Sequence, residues 1–216
     1  MPRVKSFRFP ILKSDPLDRG RRLSEILAQT VSATVALARL SRQRPRPMEL
    51  ARNIHFAWTS RLLSLTNMGI HVSGEISLAP TLFVANHVSY LDIVVLKHVL
   101  DPKNLTCFVA KKEVAAWPVF GAAATSAETI YVDRKKARTS HAVRTQLAEQ
   151  IRERFAKGYS VVIFPEGTST MKVDPFKAGP FLTAQEQKLL VQPVTISYAP
   201  LRDCAYIDDD TLFPPL

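Results

Sequence analysis

The sequence predicts an α/β fold, a mixed sheet flanked by helices, preceded by an N-terminal amphipathic helix pair. From about residue 72, short runs rich in β-branched residues alternate with helical patterns, which is typical of α/β sheets. Before that point, apolar residues recur at helical spacing. With 216 residues and 46% hydrophobic content, the chain can bury a sizeable core. We therefore divide it into a basic N-terminal region, residues 1–70, and a folded domain, residues 71–216.

The N-terminal region is predicted to begin as a loose arm and to continue as two helices. Residues 1–22 contain Pro, Arg and Lys without periodicity. The basic run RQRPRP at 42–47 separates two apolar stripes, which are Leu23, Leu27, Val31, Val35 and Ala38, then Ile54, Trp58, Leu62 and Leu65. Such helices pack on their own domain or lie on a membrane surface, and the pattern leaves both open.

The positive charge is concentrated at the N-terminus. Of the formal net charge of +10, residues 1–53 contribute +8, from 12 Lys and Arg against 4 Asp and Glu. This favours a polyanionic partner, a nucleic acid or an anionic bilayer, over a merely solvated tail. No aromatic-laced basic strand and no zinc-finger spacing is present, so we expect no nucleic-acid partner.

Membrane spanning and export are not predicted. No run approaches the roughly 20 apolar residues that cross a bilayer, and no small-residue cleavage site is placed for secretion. Cys107 and Cys204 form neither a disulfide framework nor a metal-ligand cluster, which fits a reducing compartment without a metal site. We expect a peripheral protein on the cytoplasmic face of a membrane.

Five strands and one well-marked helix are predicted in the second region. The strands are TLFVA (81–85), LTCFVA (105–110), TIYV (129–132), SVVIF (160–164) and VQPVTISYA (191–199). Between the third and fourth strands, a helix opens with Ser140 as its cap and closes at Gly158. Its apolar stripe is Val143, Leu147, Ile151 and Phe155.

His87 and Asp92 stand out in the apolar stretch LFVANHVSYLDIVVL, residues 82–96. His87 follows a strand, at the edge where open α/β sheets bind ligands, and we expect the next helix to begin at Ser89. Asp92 in the first turn can accept a hydrogen bond from one imidazole nitrogen, which leaves the other nitrogen to act as a general base. The spacing of Ser89 and Asp92 equally fits a helix capping box, in which His87 is only a loop residue.

The segment FPEGTST, residues 164–170, ends another strand. Gly167 permits a tight turn and a close backbone approach to a ligand, and Thr168 with neighbouring amides can donate to anionic oxygens. Taken alone, the segment is also compatible with an ordinary turn.

Four blocks in this order resemble those of the glycerolipid acyltransferases, the lysophosphatidic acid acyltransferase family. They are NHVSYLD (86–92), YVDR (131–134), FPEGT (164–168) and VQPV (191–194), and FVAKKEVAAWPVFG (108–121) resembles the segment that follows the first block. The resemblance extends over about residues 72–200. It implies transfer of an acyl group from acyl-CoA or acyl-carrier protein to a lysophospholipid hydroxyl, without an acyl-enzyme and without another cofactor.

The resemblance also implies roles for seven residues. His87 would deprotonate the acceptor hydroxyl, and Asp92 would orient the imidazole and stabilise its protonated form. The acceptor's phosphate and glycerol end would be held by Arg134, Glu166, Gly167 and Thr168, although Arg134 heads a basic run that is equally compatible with a solvated turn. Lys111 and the amide of Gly167 are candidates for stabilising the tetrahedral oxyanion.

Two departures from the family pattern bear on the acceptor and on the chain's extent. Ser169 stands where the second block often has arginine, which weakens the case for a phosphate-bearing acceptor. NHVSYLD, EVAAWPVFG and DPFKAG also resemble the branch that acylates lyso-ornithine lipid. We favour conversion of 1-acyl-glycerol-3-phosphate to phosphatidic acid, with lyso-ornithine lipid as the alternative acceptor. Because the chain ends soon after VQPV, we expect a short or C-terminally truncated member.

Other functional classes are less well supported. A thioester hydrolase would show a nucleophile, yet there is neither a GxSxG motif nor a cysteine placed near His87. A non-catalytic lipid-binding relative stays open as an alternative.

Overall fold

The computed structural model describes residues 16–43, 45–66, 68–133, 141–167 and 175–199. Its five strands are β1 Leu82–Ala85, β2 Thr106–Lys111, β3 Ile130–Val132, β4 Ser160–Ile163 and β5 Val191–Val194. They form one sheet in the order β3-β2-β4-β1-β5. The predicted strands thus lie where the sequence placed them, each within a residue or two except for β5, which ends at Val194.

The described helices are α1 Pro16–Leu40, α2 Met48–Thr66, α3 Leu91–Leu100, α4 Phe120–Ser126, α5 His141–Ala156 and α6 Gly179–Glu186, with a 3₁₀ helix at Lys112–Ala116. The predicted α/β class is confirmed. The expectation of a mixed sheet is wrong for the described residues, where every strand pairing is parallel. The reason is that each connection between successive strands carries a helix, which returns the chain to the same edge.

Both faces of the sheet are buried. Alternating side chains of the central strands form one cluster that includes Leu82, Val84, Cys107, Val161 and Ile163, packed with Ile151 of α5. The opposite face presents Phe83, Ala85, Phe108 and Val162 to Leu96 and Leu100 of α3. Strands covered on both faces need near-continuous apolar sequence, which explains runs such as SVVI and LFVA.

The sheet ends at β5, which is only half buried. Pro193 lies within this strand. A proline is tolerated there because an edge strand has no partner on one side to accept a backbone N–H.

The two N-terminal helices form an antiparallel pair. Arg22 of α1 donates to the carbonyl of Leu65 near the end of α2 (2.8 Å), and Trp58 donates to the hydroxyl of Thr30 (3.2 Å). The helix pair was predicted, but the arm expected over residues 1–22 is wrong for residues 16–22. Pro16 is the first residue of α1, where a missing N–H costs no helical hydrogen bond.

The middle of the apolar stripe predicted on α1 faces away from the core, whereas Leu23 and Ala38 at its two ends are half-buried. Leu27, Val31 and Val35 recur every four residues, and each is 44% exposed within the described part of the chain. The buried side of α1 is instead formed by Thr30, Leu37 and Leu40. Among the described helices, none is long and apolar enough to cross a membrane.

An ion cluster ties α2 to the base of the sheet. The Nδ1 of His55 lies 2.8 Å from Asp101, and the ammonium of Lys97 lies 3.0 Å from the same carboxylate oxygen. Thr106, the first residue of β2, donates its backbone N–H to the other oxygen of Asp101 (2.8 Å). All four residues are almost wholly buried, so these charges are compensated by one another rather than by water.

Burial sets the protonation of this cluster. Desolvation and the nearby Lys97 ammonium lower the pKa of His55 to about 4, outweighing the Asp101 carboxylate. Burial opposes ionisation of Asp101, but Lys97 and His55 outweigh it, so its pKa lies below the ordinary value. At neutral pH, His55 is therefore a neutral ring that donates its Nδ1 proton to a charged Asp101.

A second ion cluster fixes the linker between the helices. Arg46 contacts the Glu128 carboxylate (2.6 Å) and donates to the carbonyl of Ser126 (3.0 Å). Arg154 of α5 donates to the carbonyl of Glu128 (2.9 Å). The helix pair is thus bound to the sheet domain at two separate places.

Candidate active site

His87 lies where the sequence placed it, just beyond the carboxyl end of β1. Its imidazole Nδ1 is 2.8 Å from Oδ2 of Asp92, and the side chain is only 13% exposed. The ring of Phe164 stacks on the imidazole, with ring centroids 4.1 Å apart and planes at 14°. The expected His87–Asp92 contact is therefore present in the structure.

Asp92 is fully buried and receives several hydrogen bonds. Besides the imidazole, Oδ2 accepts the backbone N–H groups of Val88 (2.8 Å) and Ser89 (3.0 Å). Oδ1 accepts the hydroxyl of Tyr198 (2.6 Å). An ionised carboxylate can only accept hydrogen bonds, so Nδ1 of His87 carries the proton that it donates to Asp92. Nε2 is then the unprotonated nitrogen, with its lone pair available. That tautomer is the one a general base needs.

The capping alternative is also present. The backbone N–H of Leu91, where α3 begins, points to the hydroxyl of Ser89 at 3.3 Å. Asp92 returns the contact through its bond to the Ser89 N–H. The two alternatives left open by the sequence therefore coexist, because one carboxylate caps the helix and contacts the imidazole.

Glu166 supports the backbone that carries His87. β4 is the neighbour of β1, so the turn after β4 reaches the same edge of the sheet. The Glu166 side chain is 2% exposed, and its Oε2 accepts the backbone N–H of His87 (2.6 Å). Its predicted role in holding the acceptor stays a prediction, whereas the contact observed is with the protein itself.

Gly167 has the backbone conformation that the sequence suggested, with φ of 81°. Its N–H donates to the carbonyl of Phe164 (3.1 Å), closing the turn. The amide proposed as an oxyanion donor is therefore already engaged in this conformation. The turn residue Gly167 thus shapes the site by its backbone rather than by a free N–H.

Three other predicted positions complete the set. Lys111 ends β2 at the same edge, two strands from β1 and so roughly 10 Å across the sheet. Arg134 and Thr168 lie outside the described residues, as does Ser169. Within the part of the chain that is described, no group of His, Cys, Asp and Glu side chains is arranged to bind a metal.

An apolar cavity that the sequence did not reveal opens beside the dyad. Its volume is about 200 Å³, and it lies between the helix pair and the sheet domain. The lining residues include Thr30, Leu37, His55, Trp58, Leu62, Tyr90, Ile93, Val94, Lys97, Phe108, Ala110, Trp117, Phe120, Ala123 and Ala124. The signal in the sequence was small: only the run of alanines in GAAATSA indicates a helix that leaves space beside it.

The cavity is lined by Tyr90, which neighbours His87, and by His55 and Lys97 of the buried ion cluster. The ring of Tyr90 lies edge-on to His87 at 6.4 Å and to Trp117 at 6.1 Å, so Tyr90 stands between the imidazole and Trp117. Lys97, seven residues further along, lines the far end, roughly 10 Å away at 1.5 Å per helical residue. The cavity is therefore lined mainly by apolar side chains, as suits a hydrocarbon chain.

A strained turn holds two of the lining rings. Val119 has φ of 62° and ψ of −55°, and the N–H of Phe120 donates to the carbonyl of Pro118 (2.6 Å). This is a γ-turn with a positive central φ, a rare and strained conformation for a β-branched residue. The turn places Trp117 and Phe120, on either side of it, in the wall of the cavity.

Cys107 takes no part in this chemistry. It lies in β2 with its thiol buried, and burial raises its pKa to about 12. The side chain therefore stays a neutral thiol within the core.

Comparison with known proteins identifies the family of this chain. Residues 69–197 match the model of the Acyltransferase family, and the chain belongs to that family. The resemblance read from the sequence blocks is thereby confirmed.

Particular relatives fall into two groups. The lyso-ornithine lipid O-acyltransferase of Pseudomonas aeruginosa is 38% identical over 165 residues, 74% of this chain and 60% of that protein. The 1-acyl-sn-glycerol-3-phosphate acyltransferase of Helicobacter pylori is 33% identical over 140 residues, 63% of this chain and 56% of that protein. This chain therefore spans about 60% of the length of such curated relatives, or less.

A solved structure shares the fold. The crystal structure of the 1-acyl-sn-glycerophosphate acyltransferase PlsC of Thermotoga maritima matches with a TM-score of 0.55 at 18% identity. The match covers 79% of this chain and 73% of that one.

Proposed function

We propose that this protein is an O-acyltransferase, which moves a fatty acyl group from an acyl thioester to the free hydroxyl of a lysolipid. The observation that carries the proposal is the His87–Asp92 pair at the open edge of the sheet, one aromatic ring away from an apolar cavity. Acyl-CoA or acyl-carrier protein would supply the thioester. Membership of the acyltransferase family supports the reaction class.

The reaction follows from the tautomer of His87. Nε2 removes the proton of the acceptor hydroxyl as the oxygen attacks the thioester carbonyl, and Asp92 stabilises the imidazolium that forms. The tetrahedral intermediate then collapses and expels the thiolate, which takes the proton from His87. The products are an ester and a free thiol, and the enzyme returns to its starting state. Lys111 is the candidate among the described residues for the charge on the oxyanion.

The cavity would hold the hydrocarbon chain of the donor. A chain entering past Tyr90 and Trp117 keeps its thioester at the mouth, next to the imidazole. Burying each methylene contributes about 0.8 kcal/mol, so an apolar cavity can fix the donor without polar contacts. The orientation then leaves the acceptor to approach from the open edge.

Two lysolipids are candidates for the acceptor. Lysophosphatidic acid is the acceptor that we favour, on the breadth of the family, and the Helicobacter pylori relative is named a 1-acyl-sn-glycerol-3-phosphate acyltransferase. Lyso-ornithine lipid is the second candidate, because relatives of Pseudomonas aeruginosa and Rhizobium meliloti with that name have the higher identities, 38% and 36%. The absence of arginine at position 169 is consistent with this second acceptor.

Membrane docking is the remaining part of the proposal. The exposed stripe of Leu27, Val31 and Val35 offers an apolar face, and the N-terminal region carries most of the positive charge. Together they favour insertion into an anionic interface, which in a cell is the cytoplasmic leaflet. The acceptor lipid would then reach the sheet edge from the bilayer.

Product analysis by mass spectrometry tests the proposal. The protein is incubated with acyl-CoA or acyl-carrier protein and both lysolipids, in parallel with its His87→Ala variant. We expect one diacylated lipid, formed by the wild-type protein and lost in the variant while its thermal unfolding stays close to wild type. Lipid binding without any acylated product would favour a non-catalytic relative, and free fatty acid alone would favour a hydrolase.

A further inference from the structure

Tyr198 reaches the dyad from a distant part of the chain. It lies four residues after the end of β5, and its hydroxyl donates to Oδ1 of Asp92 at 2.6 Å. The contact bridges 106 residues of sequence. The three other hydrogen bonds to Asp92 all converge on Oδ2. Tyr198 is thus the donor that occupies the opposite oxygen.

The segment that carries Tyr198 is fastened next to His87. The side chain of Asn86 accepts the N–H of Ile196 through Oδ1 (2.7 Å) and donates to the carbonyl of Ile196 through Nδ2 (2.9 Å). These two hydrogen bonds take the place of backbone hydrogen bonds between the end of β1 and the chain that follows β5. Asn86 is 7% exposed, so water competes little for these bonds.

A carboxylate held at both oxygens has one orientation. A quarter turn of the Asp92 carboxylate about its Cβ–Cγ bond would misalign all four hydrogen bonds at once, so the plane of the carboxylate is fixed. The donor at Oδ1 also shares the negative charge, which moderates the pull of Asp92 on the imidazolium. Both effects act on His87 through Asp92, since Tyr198 contacts the carboxylate and not the imidazole.

We infer that Tyr198 is a positioning residue for the His87–Asp92 pair, held in place by Asn86, and that its hydroxyl sets the rate of proton transfer at His87. The kinetic part of this inference rests on the acyl transfer proposed above. The structural part, the orientation of the dyad, stands without it.

The kinetic test uses Tyr198→Phe, which removes only the hydroxyl. Tyr159→Phe is the matched control, because the Tyr159 hydroxyl is also buried but makes no hydrogen bond within the described residues and lies at the opposite edge of the sheet. We expect kcat to fall about 10-fold in Tyr198→Phe, as for the loss of a hydrogen bond to a charged group, with both KM values unchanged. In an Asp92→Asn background, the same substitution should have no further effect.

A proton NMR spectrum separates this role from a merely structural one. The Nδ1 proton of His87, recognised by its loss in His87→Ala, should give a downfield resonance that is altered in Tyr198→Phe and unaltered in Tyr159→Phe. An unchanged resonance in Tyr198→Phe overturns the inference, as does an equal fall in kcat in the Asp92→Asn background. If the wild-type protein transfers no acyl group, the proposed function fails, and the resonance alone still decides whether Tyr198 positions the dyad.

Discussion

Asp92 combines two tasks in one side chain, since it caps α3 through the N–H of Ser89 and holds the imidazole of His87. The cost of burying its charge is offset by the four hydrogen bonds it accepts. A substitution of Asp92 is therefore expected to change both turnover and stability, and each has to be measured.

Asp92→Asn separates the two tasks. The amide keeps the size of the side chain and can still accept backbone N–H groups, but it cannot stabilise an imidazolium. We expect turnover to fall by roughly 10² or more, with a loss of unfolding free energy of about 1 kcal/mol from the weakened cap. Steady-state kinetics and urea unfolding measure the two effects. A large loss of stability with a small loss of turnover would leave Asp92 as a capping residue only.

At the scale of single residues, the sequence predicts contacts between residues that are close to one another in the chain. His87 and Asp92 are five residues apart, so one strand end and one helical turn bring them together, and Glu166 follows the neighbouring strand. Tyr198 was missed because nothing in its own sequence context distinguishes it from a core aromatic, and Phe164, although it begins the FPEGT block, was given no role of its own. Only the parallel order of the strands brings them to His87.

The secondary-structure elements divide into those with a strong pattern and those without. β4 and α5 were predicted closely because the one is continuously apolar and the other has a full 3.6-residue period with Gly158 beyond its end, at φ of 79°. The short helices α4 and α6 have seven and eight residues, too few for a period to emerge. The cavity was missed for that reason, since α4 forms one of its walls.

Filling the cavity from α4 should shorten the acyl chain that is accepted. Ala124→Leu adds about three carbon atoms to the lining, so we expect the preferred donor to become shorter by a similar number of methylenes. Ala122→Leu on the exposed side of the same helix is the control. Rates measured over a series of acyl-CoA chain lengths give the answer, and an identical chain-length profile in both variants would place the acyl chain elsewhere.

The exposed stripe of α1 should govern vesicle binding. Replacing Leu27, Val31 and Val35 together by Ser removes the apolar face without touching a buried side chain, so we expect weaker binding and unchanged unfolding. Leu190→Ser, an exposed leucine outside the helix pair, serves as the control. Sedimentation with anionic and neutral vesicles at two salt concentrations provides the measurement. Equal binding to both vesicle types would contradict the electrostatic contribution.

At the scale of the whole molecule, the His87–Asp92 pair and the His55–Asp101 contact lie at opposite ends of the strands. His87 and Glu166 follow the carboxyl ends of β1 and β4, whereas Asp101 and Thr106 stand where β2 begins. The helix pair is fixed at the second end and lines the cavity that leads to the first. The sequence does not predict how the helix pair packs on the sheet, because His55 and Asp101 are 46 residues apart and neither lies in a recognisable motif.

The buried His55 predicts a pH dependence of stability. Its pKa is about 4 in the folded protein against an ordinary value of 6.5, so the unfolded chain binds more protons between these values. Stability is therefore full above about pH 6.5 and falls as the pH drops toward 4, by about 2 kcal/mol between pH 7.5 and 5. Urea unfolding across this range measures it. His55→Gln cannot titrate and should show a flatter dependence, and an equally steep curve would assign the effect to other groups.

The contact of His55 with Asp101 also determines how the molecule opens. Lifting α2 away would break the contact of His55 with Asp101 and separate Leu62 and Leu63 from Val94 of α3, although Lys97 and Asp101 would stay paired with each other. The helix pair therefore has no inexpensive route to local unfolding, and amide hydrogen exchange should report one opening free energy for α2 around His55 and for β2 around Thr106. Much faster exchange in α2 would show that it opens alone. With a shared opening, the helix pair and the sheet form a single cooperative unit, so a substitution that destabilises one of them also destabilises the other.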